Sequence, residues 1–246
     1  MDRKVVLVTG GSRGIGAATV EIFAKNEYNV VINYVSDDKK ANELKEKIEK
    51  QYSVSALILK ADVSNSKEVT EMVEKIIQKF GHIDVLVNNA GIAIDQTFEY
   101  KTEKEFRRVL DVNLVGPFLV SKEVGKIMKE QGSGKIINVS STNGIDTYYP
   151  ERMDYDASKA GLISLTKNLA TVFAPNVQVN AVAPGWVNTE MNKELDGEFL
   201  EEENKKILLG RFAEPSEIAS VIYFLTTKEA SYINGTVICI DGGKRV

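Results

Sequence analysis

The chain predicts a doubly wound α/β fold, with a seven-stranded, mainly parallel sheet covered by helices on both faces. Three observations carry that expectation. Short apolar, β-branched runs alternate with helical stretches along the whole 246 residues, the mark of successive βαβ units. The runs are apolar almost throughout, as strands are when helices cover both sides of a sheet. No Pro/Gly/Ser-rich linker, low-complexity tract or internal repeat interrupts the alternation, so residues 1–246 are expected to form a single domain.

Taken in order, Lys4-Val5-Val6-Leu7-Val8-Thr9 is the first strand. It ends in Gly10-Gly11-Ser12-Arg13-Gly14-Ile15-Gly16, and a helical pattern follows through about Asn26. Asn29-Val30-Val31-Ile32-Asn33-Tyr34 is the second strand, and the charged segment from Asp38 to Gln51 reads as a solvated helix. A third strand from Val54 to Lys60 leads into Ala61-Asp62-Val63-Ser64. Helix is expected from about Ser66 to Phe80, then the strand Ile83-Asp84-Val85-Leu86-Val87. One long helix from about Thr102 to Lys129 precedes the strand Lys135 to Val139 and a helix containing Tyr155. Val177-Gln178-Val179-Asn180-Ala181-Val182 and a strand around Val237 complete the sheet, with helices between them.

Composition narrows the function classes. A net charge of −4 argues against a nucleic-acid or membrane-surface binder. No apolar run approaches the roughly 20 residues needed to span a bilayer, and the polar start, Met1-Asp2-Arg3-Lys4, carries no signal peptide pattern, so a cytoplasmic location is expected. The one cysteine, Cys239, excludes an internal disulfide and is expected to be a buried strand residue. With one histidine, His82, read as a turn residue, no metal site is expected.

Two stretches carry chemistry. In Tyr155-Asp156-Ala157-Ser158-Lys159 the phenol and the ammonium are four positions apart on a helix, and so share one face. A phenol titrates near about 10, and a fixed cation beside it stabilises the phenolate and lowers that pKa. Such a tyrosine serves as a general acid or base near neutral pH. The second stretch, Thr9-Gly10-x-x-x-Gly14-x-Gly16, lies between a strand and a helix. Glycines there let the backbone turn and approach a phosphate, while the helix N-terminus offers N–H donors and positive dipole. The pattern lacks the G-K-[ST] ending of a P-loop, which disfavours phosphoryl transfer. A carboxylate that would choose NAD is expected about 20 residues on. Asn33-Tyr34 stand there instead, with no acid until Asp37, while Arg13 puts a cation in the loop. That combination favours NADP(H), through pairing of Arg13 with a 2′-phosphate.

Thr9-Gly10-x-x-x-Gly14-x-Gly16, Asn88-Asn89-Ala90-Gly91, Asn113, Ser141, Tyr155-x-x-x-Lys159 and Pro184-Gly185 follow one another in that order. Together they resemble the short-chain dehydrogenase/reductase family over essentially the whole chain, with its Rossmann-type domain. Among members the chain looks most like bacterial 3-oxoacyl-(acyl-carrier-protein) reductases, with support from Gly210-Arg211-Phe212-Ala213-Glu214-Pro215, Tyr232-Ile233-Asn234-Gly235 and Asp241-Gly242-Gly243. The resemblance implies that Tyr155 protonates a carbonyl oxygen, that Lys159 holds the nicotinamide ribose and lowers the tyrosine pKa, and that Ser141 hydrogen-bonds the substrate oxygen. Asn113 would hold a water linking Lys159 to solvent. It implies further that Gly10, Ser12, Arg13, Gly14, Ile15 and Gly16 meet the phosphates, Asn33 and Tyr34 the adenosine ribose, Asp62 and Val63 the adenine. Asn89, with Ala90 and Gly91, would hold the loop beside that ribose; Pro184, Gly185, Val187 and Thr189 would meet the carboxamide and phosphates.

The chain departs from the family in three places. Ser141 precedes Tyr155 by one residue more than is usual, and Gly144 marks Ser141 over Ser140 and Thr142. The loop from Ile145 to Asp154 is bulky and charged where acyl-carrier reductases have smaller residues. Basic residues that dock the acidic carrier are replaced by Gln131-Gly132-Ser133-Gly134 and Ala174-Pro175-Asn176, with Lys126 and Lys129 nearby.

The leading expectation is thus an NADPH-dependent carbonyl reductase acting on a 3-oxoacyl thioester, with acyl carrier protein as a possible partner. The alternatives are a dehydrogenase of sugars, polyols or small secondary alcohols, with Asp146, Tyr148, Glu151 and Arg152 binding hydroxyls, and a catalytically silent dinucleotide-binding interaction protein. Apolar residues on more than one side of the Thr102–Lys129 and Tyr155–Phe173 helices, together with the resemblance, predict a homotetramer or homodimer. A second interface is expected near the terminal strand and Gly242-Gly243-Lys244-Arg245-Val246.

Overall fold

Seven strands form one sheet in the order β3-β2-β1-β4-β5-β6-β7, and every ladder in it is parallel. The computed structural model describes residues 3–146, 148–190 and 196–243. Its strands are β1 (Val5–Val8), β2 (Asn29–Tyr34), β3 (Ala56–Lys60), β4 (Val85–Asn88), β5 (Gly134–Val139), β6 (Val177–Pro184) and β7 (Val237–Ile240). In the central ladders Val6 stands opposite Val30 of β2 on one side and Val85 of β4 on the other.

Alternate side chains of β1 enter two separate apolar layers, as the two-residue period of a strand requires. Val5 and Leu7 pack with α3 (Ser66–Phe80), α5 (Gly116–Gln131) and α6 (Met153–Phe173), through Met72, Val124 and Phe173 among others. Val6 and Val8 pack with α1 (Gly14–Lys25), α2 (Asp38–Gln51) and α8 (Pro215–Phe224), through Phe23, Ile48 and Ile222. The remaining helices are α4 (Glu103–Leu110) and α7 (Gly197–Lys206). Several helix ends follow from local chemistry. Asp37 accepts from the Lys40 amide at the start of α2, Asn65 from the Lys67 and Glu68 amides at the start of α3, and Gly81 ends α3 in the left-handed region at φ 79°.

The order of the strands reverses between β1 and β4, which lie side by side although two further strands separate them in the chain. Loops leaving the C-terminal ends of these two strands part in opposite directions and open a crevice, the position at which open α/β sheets bind ligands.

Two expectations are corrected. The long helix expected over Thr102 to Lys129 is α4 and α5 joined by a π-helical turn, Asp111–Val115. Pro117 has no N–H to give the carbonyl four residues back, that of Asn113, so the α-helical ladder cannot run through. The Gly116 amide donates instead to Asp111 O, five residues back. Cys239, expected to be buried, is exposed, because β7 is the edge strand and none of the described residues covers Cys239.

Candidate functional site

One cavity of about 630 Å³ runs along the C-terminal ends of the strands. Most of the residues singled out from the sequence line it: Gly10, Ser12, Arg13, Gly14, Ile15, Tyr34, Asp62, Val63, Asn89, Ala90 and Gly91, then Ser141, Tyr155, Lys159, Pro184, Gly185, Val187 and Thr189. Gly16, Asn33 and Asn113 do not face it.

The loop after β1 is built by exchange with the end of β4. The Asn89 side chain donates to Thr9 O and Gly10 O, each at 3.0 Å, while the Asn89 and Ala90 amides donate to Thr9 Oγ1 at 3.0 and 3.1 Å. Gly16 lies behind this loop; a Cβ there would stand 2.2 Å from Gly10 O, so only glycine lets α1 approach so closely. Asn33 also works from behind. Its side chain donates to Ala61 O at 2.9 Å and Leu59 O at 3.3 Å, accepts from the Gly10 amide at 3.3 Å, and is buried. The expectation that Asn33 meets the adenosine ribose is therefore corrected: it braces the loop, and Tyr34, Val35, Ser36 and Asp37 form the wall at the end of β2.

The residues present fit a dinucleotide. No side chain caps the first turn of α1, so its N–H groups remain for a diphosphate, and the glycines leave room for it. Past the end of β3, Asp62 is half-buried. Burial pushes its carboxyl up, but hydrogen bonds from Ser64 and Arg108 (2.8 Å) outweigh that and hold it below the usual range. Arg13 is largely exposed and stands 3.9 Å from Glu190, whose carboxylate also receives Lys40 at 2.5 Å.

At the other end Ser141, Tyr155 and Lys159 converge. Ser140 Oγ donates to Lys159 O at 2.9 Å and braces α6, whereas Ser141 lines the cavity beside Tyr155, near enough to act on the phenol's pKa, and its hydroxyl donates to Asn143 Oδ1 at 3.3 Å. Ser141 also accepts from the Asn143 amide at the start of a short 3₁₀ turn, Thr142–Gly144. A Cβ on Gly144 would lie 2.6–2.8 Å from the Lys159 and Ala160 backbone, so glycine lets this turn rest on the helix carrying Tyr155.

The electrostatics correct one expectation. Lys159 Nζ donates to Val139 O at 2.8 Å and stands 5.4 Å from the centre of the Tyr155 ring. Burial pulls its pKa down to about 8. The Tyr155 phenol is raised above its ordinary value of 10.0, not lowered: burial is the largest cause, against which the Ser141 hydrogen bond and the charge of Arg152 act in the other direction. A phenol in this environment keeps its proton at neutral pH and is a donor.

Asn113 lies beneath the cavity, fully buried. It accepts from the Ile92 amide (2.8 Å) and donates to Ile92 O (2.9 Å) and Ser158 Oγ (3.1 Å), and Ser158 donates to Tyr155 O (2.6 Å). The π-turn thus ties the segment after β4 to the helix of Tyr155. Gly91 fits between: a Cβ there would be 3.4 Å from Asn113 Oδ1 and 3.5 Å from Lys159 Nζ.

Tyr149, Trp186, Phe199 and Phe212 form an aromatic cluster, in which Trp186 stands in the chain between Gly185 and Val187 of the lining and stacks on Phe212 at 5.3 Å. Among the proposed hydroxyl-binding residues, Asp146, Tyr148 and Glu151 are exposed, and Arg152 is held by Asp95. Thr147 of this loop, and Lys244, Arg245 and Val246 at the expected second interface, lie outside the described residues. Of the residues standing where carrier-docking cations were sought, Gln131 pairs with the Ile83 backbone, and the nearby Lys126 pairs with Glu123. Wall residues that sequence reasoning missed include Ile92, Ala93, Val35, Ser36 and Glu190; each is an ordinary residue beside a singled-out one, and only the fold turns it inward.

A family model described as enoyl-(acyl carrier protein) reductase matches residues 10–245. The chain is 42% identical over 244 residues to the 3-oxoacyl-[acyl-carrier-protein] reductase FabG of Thermotoga maritima, covering 99% of this chain and 98% of that one. It is 41% identical to the enzyme of the same name from Aquifex aeolicus, with the same coverage. A crystal structure of a dehydrogenase/reductase from Sinorhizobium meliloti superposes with a TM-score of 0.94 at 32% identity, over all of this chain and 96% of that one.

Proposed function

Because the chain belongs to the short-chain dehydrogenase/reductase family, oxidoreductases acting between CH–OH and C=O with a nicotinamide dinucleotide, we propose that it is an NADPH-dependent carbonyl reductase whose substrate is a 3-oxoacyl thioester. The observation that carries this reading is the convergence of two hydroxyls, Ser141 and Tyr155, above a buried lysine. Two hydroxyls on one stretch of the cavity lining suit a carbonyl oxygen, on which negative charge grows during reduction.

In this reading the cofactor supplies a hydride when bound. Ser141 holds the carbonyl oxygen and stabilises its developing charge. Tyr155, which burial keeps protonated, gives its proton to that oxygen as the alcohol forms. Proton donation from a positioned group contributes roughly 10²–10⁴-fold to such a step. Lys159 is the adjacent cation for the phenolate that remains, and its lowered pKa of about 8 makes it a ready acid for returning the proton. Asn113 keeps Ile92 and the first turns of α6 in register beneath this centre. Arg13, with Lys40 beside it, offers positive charge for a 2′-phosphate. Gly10, Ser12, Gly14 and Ile15 would meet the diphosphate, Asp62 and Val63 the adenine, and Gly185, Val187 and Thr189 the nicotinamide side.

The commitment of Arg152 to Asp95 takes away one hydroxyl-binding group from the sugar or polyol reading. The names of the curated relatives support acyl carrier protein as the carrier of the substrate. The experiment is an assay of the purified protein with NADPH against acetoacetyl thioesters of carrier protein and of coenzyme A, beside a panel of ketones and sugars. Preferred turnover of the thioesters is expected; turnover of sugars or polyols alone would refute the substrate, and turnover of nothing would favour a silent dinucleotide-binding protein.

A further inference from the structure

Next to Tyr155 lies a charge pair that the chemistry above does not use. Lys101, just before α4, and Asp154, in the first turn of α6, are 3.0 Å apart with side chains 4% and 0% exposed. Removing two charges from water costs several kcal/mol per ion, so a pair this deep persists only where further hydrogen bonds satisfy it. Those bonds are present, one to the segment that follows Ile92 and Ala93 of the cavity lining and one to Tyr155. Lys101 Nζ also donates to Ile94 O, and Asp154 Oδ1 accepts the backbone amide of Tyr155 itself at 2.9 Å.

The same two segments are joined twice more. The Gln96 amide donates to Glu151 O at 3.1 Å, and the Arg152 guanidinium makes two bonds of 2.6 Å to the Asp95 carboxylate. Three links therefore bind the stretch Ile94–Gln96 to the residues immediately preceding Tyr155. Two residues earlier the stretch supplies Ile92 and Ala93 to the cavity, and Ile92 is pinned from beneath by Asn113.

We propose that Lys101 and Asp154 are positioning residues: their buried pair clasps the segment Ile92–Gln96, which gives Ile92 and Ala93 to the cavity wall, to the first turn of α6 and so fixes where the Tyr155 phenol stands. The proposal rests on the reading of Tyr155 as the proton donor. A displacement of about 1 Å at a reacting group costs up to about 100-fold in rate, so loosening the clasp acts on turnover more than on stability.

The test separates positioning from packing. Lys101→Met alone strands a buried carboxylate and is expected to lower the melting temperature. The double variant Lys101→Met/Asp154→Asn removes both charges together and keeps an acceptor for the Tyr155 amide, and such paired replacement of a buried ion pair is often neutral for stability. The double variant is expected to melt within a few degrees of the parent, to bind NADPH within about threefold of it, and to lose about 10- to 100-fold in kcat with little change in KM. Hydrogen–deuterium exchange supplies a readout that needs no substrate: amides in residues 92–96 and 151–155 should exchange faster in the double variant, with the rest of the chain unchanged. A folded double variant with the parent's kcat, unchanged exchange in those segments, or a double variant that does not fold would each overturn the proposal. Absence of any ketone reduction by the parent would instead overturn the functional reading, leaving exchange to decide whether the clasp exists.

Discussion

Lys159 is held in the fold at a cost, and Lys159→Met should expose it. Burial lowers its pKa from 10.5 to about 8, so below pH 8 the folded protein carries a charge that it disfavours by about 2.5 pK units, or about 3 kcal/mol at 1.36 kcal/mol per unit. Methionine keeps much of the aliphatic stem and discards the charge, but strands the buried Val139 O without its 2.8 Å hydrogen bond, an offset of about 1–3 kcal/mol. The net gain of about 0–2 kcal/mol corresponds to a rise of up to about 4–8 °C in melting temperature for a chain of this size. The sign with pH follows from proton counting. Between pH 8 and 10.5 the unfolded lysine holds a proton that the folded one has lost, so the parent gains stability as pH rises through that window. The advantage of the variant should be full at pH 7 and close to nothing at pH 9.5. Thermal melts of the cofactor-free proteins at both values measure it. A Lys159→Met protein less stable than the parent at pH 7, or an advantage that does not change with pH, would refute the reasoning.

NADPH should bind more tightly than NADH by about 1.5–3 kcal/mol if Arg13 meets a 2′-phosphate; Arg13→Met should erase the difference in a fluorescence titration, and equal affinities in the parent would contradict it. Asn33→Asp should destabilise without switching the cofactor, because it sets a carboxylate against Leu59 O and Ala61 O; a stable variant that prefers NADH would show that the side chain reaches the ribose after all. Self-association is expected through the outer side of α5 and α6, where Phe118 and Val172 are 44% and 58% exposed although Val120 and Leu169 of the same helices are buried. Light scattering should give two or four times 27.2 kDa, and a mass near 27.2 kDa would contradict the expectation.

Much of this molecule was legible because strong local signals agreed with the global fold. The bounds of α2 and α3 were readable because Asp37 and Asn65 cap them and Gly81 can adopt the left-handed conformation that stops a helix. Helical spacing puts Tyr155 and Lys159 on one face, but the pair was readable as a site only through its order with the Gly10–Gly16 loop, Asn88–Gly91, Asn113 and Ser141. The π-turn had a signal, Pro117, which the continuous apolar pattern from Val109 to Val120 masked. Asn33 shows a different limit: its place at the strand end was correct, but which way a strand-end side chain turns depends on the carbonyls of β3 and its following residue, 26 and 28 positions away. The direction of the Tyr155 shift was misread for a related reason, since spacing reveals the neighbouring cation but not the depth of burial that outweighs it. Lys101 and Asp154 are 53 residues apart, and nothing but the crossing of α4 over α6 brings them together.

The measurement closest to the central claim is the turnover of Tyr155→Phe, with its NADPH affinity determined on the same preparation. The substitution keeps the ring and deletes the hydroxyl proposed to give its proton to the substrate oxygen. The account predicts a fall in kcat for acetoacetyl thioester reduction of at least about 100-fold, with NADPH binding changed by less than about twofold. A Tyr155→Phe enzyme that retains more than about a tenth of the parent's turnover would contradict it.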